Sequence, residues 1–269
     1  DGILNYKFVF NSNGTVTYTG DTWNTNATTA GNFTVQGGAE TIITGRVLAS
    51  GSAHLLTKAN SGTLTLSAAA GNLSTFTGNA SINDGTLATR SIDLLNPTST
   101  GAGRVLFGGG ALSFLGSAGT GAGETWTNKI LDLNNANNYI LANQSGTAPT
   151  ALVLPNNLAV SSNAAKTLNL GGSAPTSVVN QITGLIANRG NLTNINKFGT
   201  STWEISAPTN YGTAASAVAV TNTSGQSLLT GLTSTATLAV GMPISGTGIP
   251  VGSTIVQIHS GTSVTISAN

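Results

Sequence analysis

One segment of this chain occurs twice. Ile43–Ala68 reads ITGRVLASGSAHLLTKANSGTLTLSA, and Ile182–Ala207 reads ITGLIANRGNLTNINKFGTSTWEISA, aligned without a gap at a constant offset of 139 (197 − 58). Ile-Thr-Gly, a central Gly (Gly51, Gly190), a Lys (Lys58, Lys197), a Thr (Thr63, Thr202) and a final Ser-Ala recur in register. Apolar positions recur as well: Val47 with Ile186, Leu56 with Ile195, Leu64 with Trp203, and Leu66 with Ile205. A unit too short to bury its own core must stack on neighbours of the same kind. The repeat therefore predicts a rod, with Leu64, Leu66, Trp203 and Ile205 in its core.

The local pattern is that of short strands. Thr63-Leu-Thr-Leu-Ser, Lys166-Thr-Leu-Asn-Leu, Thr202-Trp-Glu-Ile-Ser and Ser263-Val-Thr-Ile-Ser alternate apolar with small polar residues, which places the two kinds on opposite faces of a strand. Gly, Asn, Ser and Pro punctuate these runs. Helix signals are nearly absent, and Asn180–Ala187 reads better as strand than as a helical turn. A sandwich would need hairpin turns throughout, whereas a β-solenoid needs a repeated corner. The in-register repeat favours the solenoid, at roughly 20 residues per turn and about 4.8 Å of rise, for a rod about 50 Å long. The fold class expected is all-β: a parallel β-helix over 1–213, with an extended N-terminal strand, and a small β-strand module over 214–269.

Charge narrows the function. Only 6% of the 269 residues are charged, the net charge is +1, and the nine basic residues are scattered singly from Lys7 to Lys197. Nucleic-acid binding needs clustered Lys and Arg, so no nucleic-acid partner is expected. No apolar run reaches the length of a membrane span, and the chain has no Cys, which argues against a small disulfide scaffold. The sequence opens on Asp1, as a mature chain does once an export signal is removed, and a trimmed sequence opens the same way. The expected location is secreted, at the cell surface.

Longer motifs sharpen this. Lys58–Leu87 (KANSGTLTLSAAAGNLSTFTGNASINDGTL) carries a Lys, Gly-Thr-Leu-Thr-Leu-Ser, Thr-Phe-Thr-Gly and Ile-Asn-Asp-Gly-Thr-Leu in order. It resembles the autotransporter-associated β-strand repeat. Ile182–Tyr211 resembles the same unit with its Ile-Thr-Gly lead-in, and Arg104–Gly116 resembles a segment found between such units. The resemblance covers most of Thr41–Tyr211 and implies a right-handed parallel β-helix in a secreted bacterial surface protein. The sequence departs from the family in its short length and in having no membrane-inserted C-terminal barrel.

Val218–Asn269 differs in kind, with no Lys, Arg, Asp or Glu at all. Ile255–His259 and Thr262–Ile266 flank Ser260-Gly261, a hairpin signal. This part resembles a small all-β module of large bacterial and phage surface proteins. The boundary is expected near Gly212–Ala217.

Catalytic chemistry finds little purchase. The eight acids (Asp1, Asp21, Glu40, Asp84, Asp93, Glu124, Asp132, Glu204) form no close sequence pair of the kind glycoside hydrolysis uses. His54 aligns with Thr193 in the second copy, so the repeat does not require a base there, and His259 sits beside a turn. Metal-ligand spacing is missing. Asn83-Asp84-Gly85 could hold calcium, although a type I turn accounts for the same residues. No catalytic, cofactor or metal residues are therefore assigned, and a lyase or other enzyme is disfavoured. Lys58 and Lys197 read as solvated corner residues or, less simply, as lattice contacts. The run Asn134, Asn135, Asn137, Asn138 reads as an inward corner or, more simply, as a solvated loop. Trp23 and Trp126 stay open to sugar stacking.

Two function classes remain. In the first, the chain is a structural subunit that joins copies of itself head to tail into an extracellular fibre or surface filament. Leu4, Tyr6, Phe8 and Phe10 form an apolar-faced strand before the repeats begin, and Val264 and Ile266 lie in the last strand. These residues are the expected assembly interface, through strand addition at open edges; a simple cap on the first coil is the other role for Leu4–Phe10. In the second, the chain is an adhesin-type rod that binds glycan or a cell surface along its length.

Overall fold

The computed structural model describes residues 4–10, 14–20, 31–47, 55–68, 78–91, 103–116, 121–127, 130–162, 164–186, 193–206, 227–232, 235, 238, 244, 246, 248–250 and 252–267. The chain separates into two compact units. One comprises Asp1–Ala187 with Thr193–Pro208, the other Asn188–Leu192 with Thr209–Asn269.

The first unit is a parallel β-solenoid, as the repeat predicts. Its first face stacks β1 (Leu4–Phe10), β3 (Gly31–Gly37), β5 (Leu55–Ala59), β7 (Asn79–Ile82), β9 (Arg104–Phe107) and β11 (Ile130–Asp132). Bridges from Asp132 to Ala159 and from Leu158 to Ile186 carry this face onward. The second face stacks β2 (Val16–Tyr18), β4 (Thr41–Ile43), β6 (Thr63–Leu66), β8 (Thr86–Thr89), β10 (Ala111–Phe114), β12 (Asn137–Ala142), β14 (Lys166–Gly171) and β16 (Thr193–Lys197). The third face holds β13 (Val153–Leu154), β15 (Val179–Ile182) and β17 (Thr202–Ile205). Every neighbour pair in these faces is parallel.

Turn length is the main correction to the sequence reading. Leu64 pairs with Leu87, an offset of 23 (87 − 64), and Ile140 pairs with Leu170, an offset of 30 (170 − 140). Each turn therefore consumes more chain than the sequence reading allowed, so fewer turns fit. Eight strands on the second face span about 34 Å at the usual strand spacing, not the 50 Å expected.

Alternation supplies the core. Inward columns run Phe33, Leu56, Ala80, Val105 and Leu131 on the first face, and Leu64, Leu87, Leu112, Ile140 and Leu170 on the second, all buried. Each apolar side chain so placed contributes about 1.5–3 kcal/mol before chain entropy is set against it. Leu64 and Leu66 are fully buried, as expected of repeat core, while Trp203 and Ile205 pack against the same core only partly buried.

In the second unit, β18 (Leu228–Thr230), β20 (Ser263–Ile266) and β19 (Ile255–Ser260) form an antiparallel sheet in that order. The hairpin stands one residue later than read from sequence, with Gly261-Thr262 between the strands. Leu229, Leu232, Ile255, Val264 and Ile266 close a separate small core.

Candidate functional site

The polar chemistry of the solenoid sits at its corners. Lys58 occupies an inward position, in register with Val35 below and Ile82 above. Its stem is buried in the core, and its Nζ donates to the carbonyls of Ala59 (2.7 Å) and Asn60 (2.5 Å). Asn60 carries φ 61°, the left-handed conformation that turns the chain. Lys197 does the same: it occupies an inward register position opposite Leu170, and its Nζ donates to the carbonyls of Phe198 (2.6 Å) and Gly199 (3.0 Å), with Gly199 at φ 65°. A lysine followed two residues on by a left-handed residue is thus one local device: the ammonium satisfies carbonyls that the turn would otherwise orphan. For Lys58 this replaces both sequence readings, since it is neither solvated nor a surface contact; Lys197 is an exposed corner lysine, as the simpler reading has it. Burial holds the Lys58 ammonium below its ordinary value, partly offset by the carboxylate of Asp84.

The two copies of the device lie on different faces. Lys58 leads from the first face to the second, whereas Lys197 leads from the second to the third. Following the ladder from Leu64 through Leu87, Leu112, Ile140 and Leu170 reaches Lys197 after five turns, and Trp203 lies on the next face. Leu64 and Trp203 therefore share a local path but not a sheet.

Asparagine performs the same service elsewhere. Asn138, fully buried, donates through Nδ2 to Asn135 O (2.7 Å) and Thr167 O (3.3 Å) and accepts from Asn135 N–H through Oδ1. For this residue the inward-corner reading holds, although Asn134 and Asn137 are exposed. Asn180 bridges three turns: its Oδ1 accepts from Gln144 Nε2 (2.6 Å) and Leu152 N (3.0 Å), and its Nδ2 donates to Thr202 O (3.0 Å).

Several of the described titratable groups are spent on the fold. Buried Asp132 takes an ion pair from Arg104 (2.7 Å), the N–H of Ser161 (3.1 Å) and the Ser161 hydroxyl. Lys166, also buried, donates to Ser162 Oγ (2.6 Å), and its pKa is lowered by burial against the pull of Asp132. Glu124 accepts from Ser91 Oγ and from Trp126 Nε1, and Trp126 packs edge-on against Phe114 in the core. That removes Trp126 as a sugar platform; Trp23 lies outside the described residues. Asp84 accepts from Gly85 N, and the chain bends at Asp84-Gly85 while Thr86 N–H bonds Gly62 O of the turn below. His259 is exposed and bonds Thr265 Oγ1. Among the described residues no three of His, Asp and Glu gather as metal ligands, and no helix is long and apolar enough to cross a membrane.

Among the described residues, what the solenoid leaves unfilled is strand edge. β1 is the outermost strand of the first face, and the side chains of Leu4, Tyr6, Phe8 and Phe10 lie outside the described residues. At the other end, Phe198 N–H bonds Leu170 O. By strand alternation the backbone groups of Ile195 and Lys197 then face away from β14. Val264 and Ile266 do not match their expected role. Both are buried in their own small core, and β20 is the central strand of its sheet with both edges paired.

Comparison with known proteins adds no kinship: no family model matches the chain, nor does any curated protein or solved structure.

Proposed function

We propose that this chain is a structural subunit of an extracellular bacterial fibre or surface filament, joined head to tail by pairing of strand edges. The observation that carries the reading is the last described turn of the solenoid. Its inward positions Ile195, Trp203 and Ile205 are only partly buried, while Leu168, Asn180 and Ile182 one turn below are closed over. Outward backbone groups on β16 and on β1 have no partner strand among the described residues, and such edges recruit another strand. A second copy brings strands of the same spacing and twist. In this reading the Lys58–Leu87 unit belongs with secreted repeats of the autotransporter-associated kind, and the sparse charge leaves little repulsion between copies.

Negative-stain microscopy and sedimentation of the purified chain test it. The full chain is expected to form filaments with increasing concentration, and deletion of Asp1–Phe10 to leave a folded monomer that does not. A full chain that stays monomeric sinks the reading. Filaments that survive the deletion remove β1 from the joint.

A further inference from the structure

The outward side of the second face changes character along the rod. On β6, β8 and β10 its outward register positions are Thr63 and Thr65, Thr86 and Ala88, Ala111 and Ser113, all small, with Thr65, Ala88 and Ser113 buried. On β12, β14 and β16 it becomes a grid of amides and aromatics. Asn137, Thr167 and Asn194 share one register column, and Tyr139, Asn169 and Asn196 the next. The third column is Leu141, Gly171 and, one residue beyond β16, Phe198.

This grid is built. Gly171 leaves the space that the Phe198 ring occupies, because a Cβ there would lie 2.3 Å from Phe198 Cζ. The ring meets Tyr139 edge-on at 6.2 Å and stays 40% exposed. Asn169 is itself buried, and its Oδ1 accepts from Asn196 Nδ2 (2.9 Å), which orients the exposed Asn196 amide. The side chains of Asn137 and Asn194 are exposed and make no hydrogen bond among the described residues. None of the nine positions carries a charge.

We propose that this patch binds a neutral glycan. A pyranose has an apolar C–H face, which suits an exposed ring, and vicinal hydroxyls, which suit an amide that both donates and accepts. Columns lie about 7 Å apart along the strands and rungs about 4.8 Å apart, so a sugar ring on Phe198 has its hydroxyls within reach of Asn196, and the next sugar of the chain, about 14 Å from Phe198, has its own within reach of Asn194. The absence of charge selects against sulfated and uronic polymers. The patch side chains project from the face of the rod, while Asn194 and Asn196 stand on β16, the edge strand of the proposed joint, so glycan binding and filament formation are measured separately.

Calorimetric titration of the full chain with cellohexaose, chitohexaose and heparin tests the proposal. Saturable binding to at least one neutral hexamer and none to heparin is expected. Phe198→Ala is expected to weaken it roughly threefold to tenfold. Asn194→Ala, at an exposed site that holds nothing in the fold, gives a smaller loss and guards against misfolding of the first variant. Thr63→Ala, on the small-residue half, leaves affinity unchanged. The proposal fails if neither hexamer binds at millimolar sugar, if heparin binds instead, or if binding is indifferent to both Phe198→Ala and Asn194→Ala.

Discussion

Lys58 and Lys197 begin the same corner in two settings. Both ammonium groups cap two successive carbonyls, and both precede a left-handed residue. Over Lys58, however, another turn is laid. Gly85, at φ +65°, sits so close that a Cβ would lie 2.3 Å from Gly62 O and 2.8 Å from Lys58 Nζ. Among the described residues no such turn covers Lys197, which is exposed. The contrast teaches that the corner is a property of the chain segment, while its energetic weight comes from the turn stacked upon it.

Substitutions at equivalent positions should therefore have unequal effects. Lys58→Ala removes a buried stem and orphans two carbonyls, and is expected to cost about 2–5 kcal/mol in urea unfolding followed by circular dichroism. Equal costs for Lys58→Ala and Lys197→Ala would break the comparison. Gly85→Ala forces a side chain into left-handed backbone against the turn below, at about 1–3 kcal/mol by the same measurement. Lys197→Ala is expected to cost less than about 1 kcal/mol, since water replaces the lost partner.

The smallest effect sharpens the comparison through pH. Burial lowers the pKa of Lys58 and of Lys166 in the folded chain from 10.5. The unfolded chain then holds more protons across the interval between the lowered values and 10.5, so stability rises with pH through that interval and levels off above it. Lys58→Met keeps the stem, removes one of the two titrating groups, and should flatten the rise. An unchanged slope in that variant would show that the Lys58 ammonium is not desolvated.

Much of this was legible from residues alone. Alternation at Thr63–Leu66 placed Leu64 and Leu66 inside, and they are. Turn signals near Ser260 located the hairpin to within one residue. Other features were hidden for identifiable reasons. A lysine in a low-charge sequence reads as surface, because its pattern does not show that neighbouring carbonyls lie within reach of its Nζ. Asn138 reads as loop, because Asn suits exposed turns and buried caps equally. The grid around Phe198 had no linear signal, since its columns join positions far apart in sequence, as Tyr139 and Asn169 are. A cue did exist in Gly171, a glycine ending an otherwise regular alternating run.

By itself the sequence determined the local path of the chain: short alternating strands, a left-handed corner two residues after Lys58 and Lys197, and a repeated unit that must stack. Those follow from side-chain periodicity and backbone sterics, which act over a few residues. Tertiary structure decided which face each unit occupies and how deeply it is buried. The reason is cumulative. Successive turns differ in length, as the pairings of Leu64 with Leu87 and of Ile140 with Leu170 show, and the differences add up around the axis. The matching segments that carry Lys58 and Lys197 therefore arrive on different faces. The same stacking covers one lysine and leaves the other open.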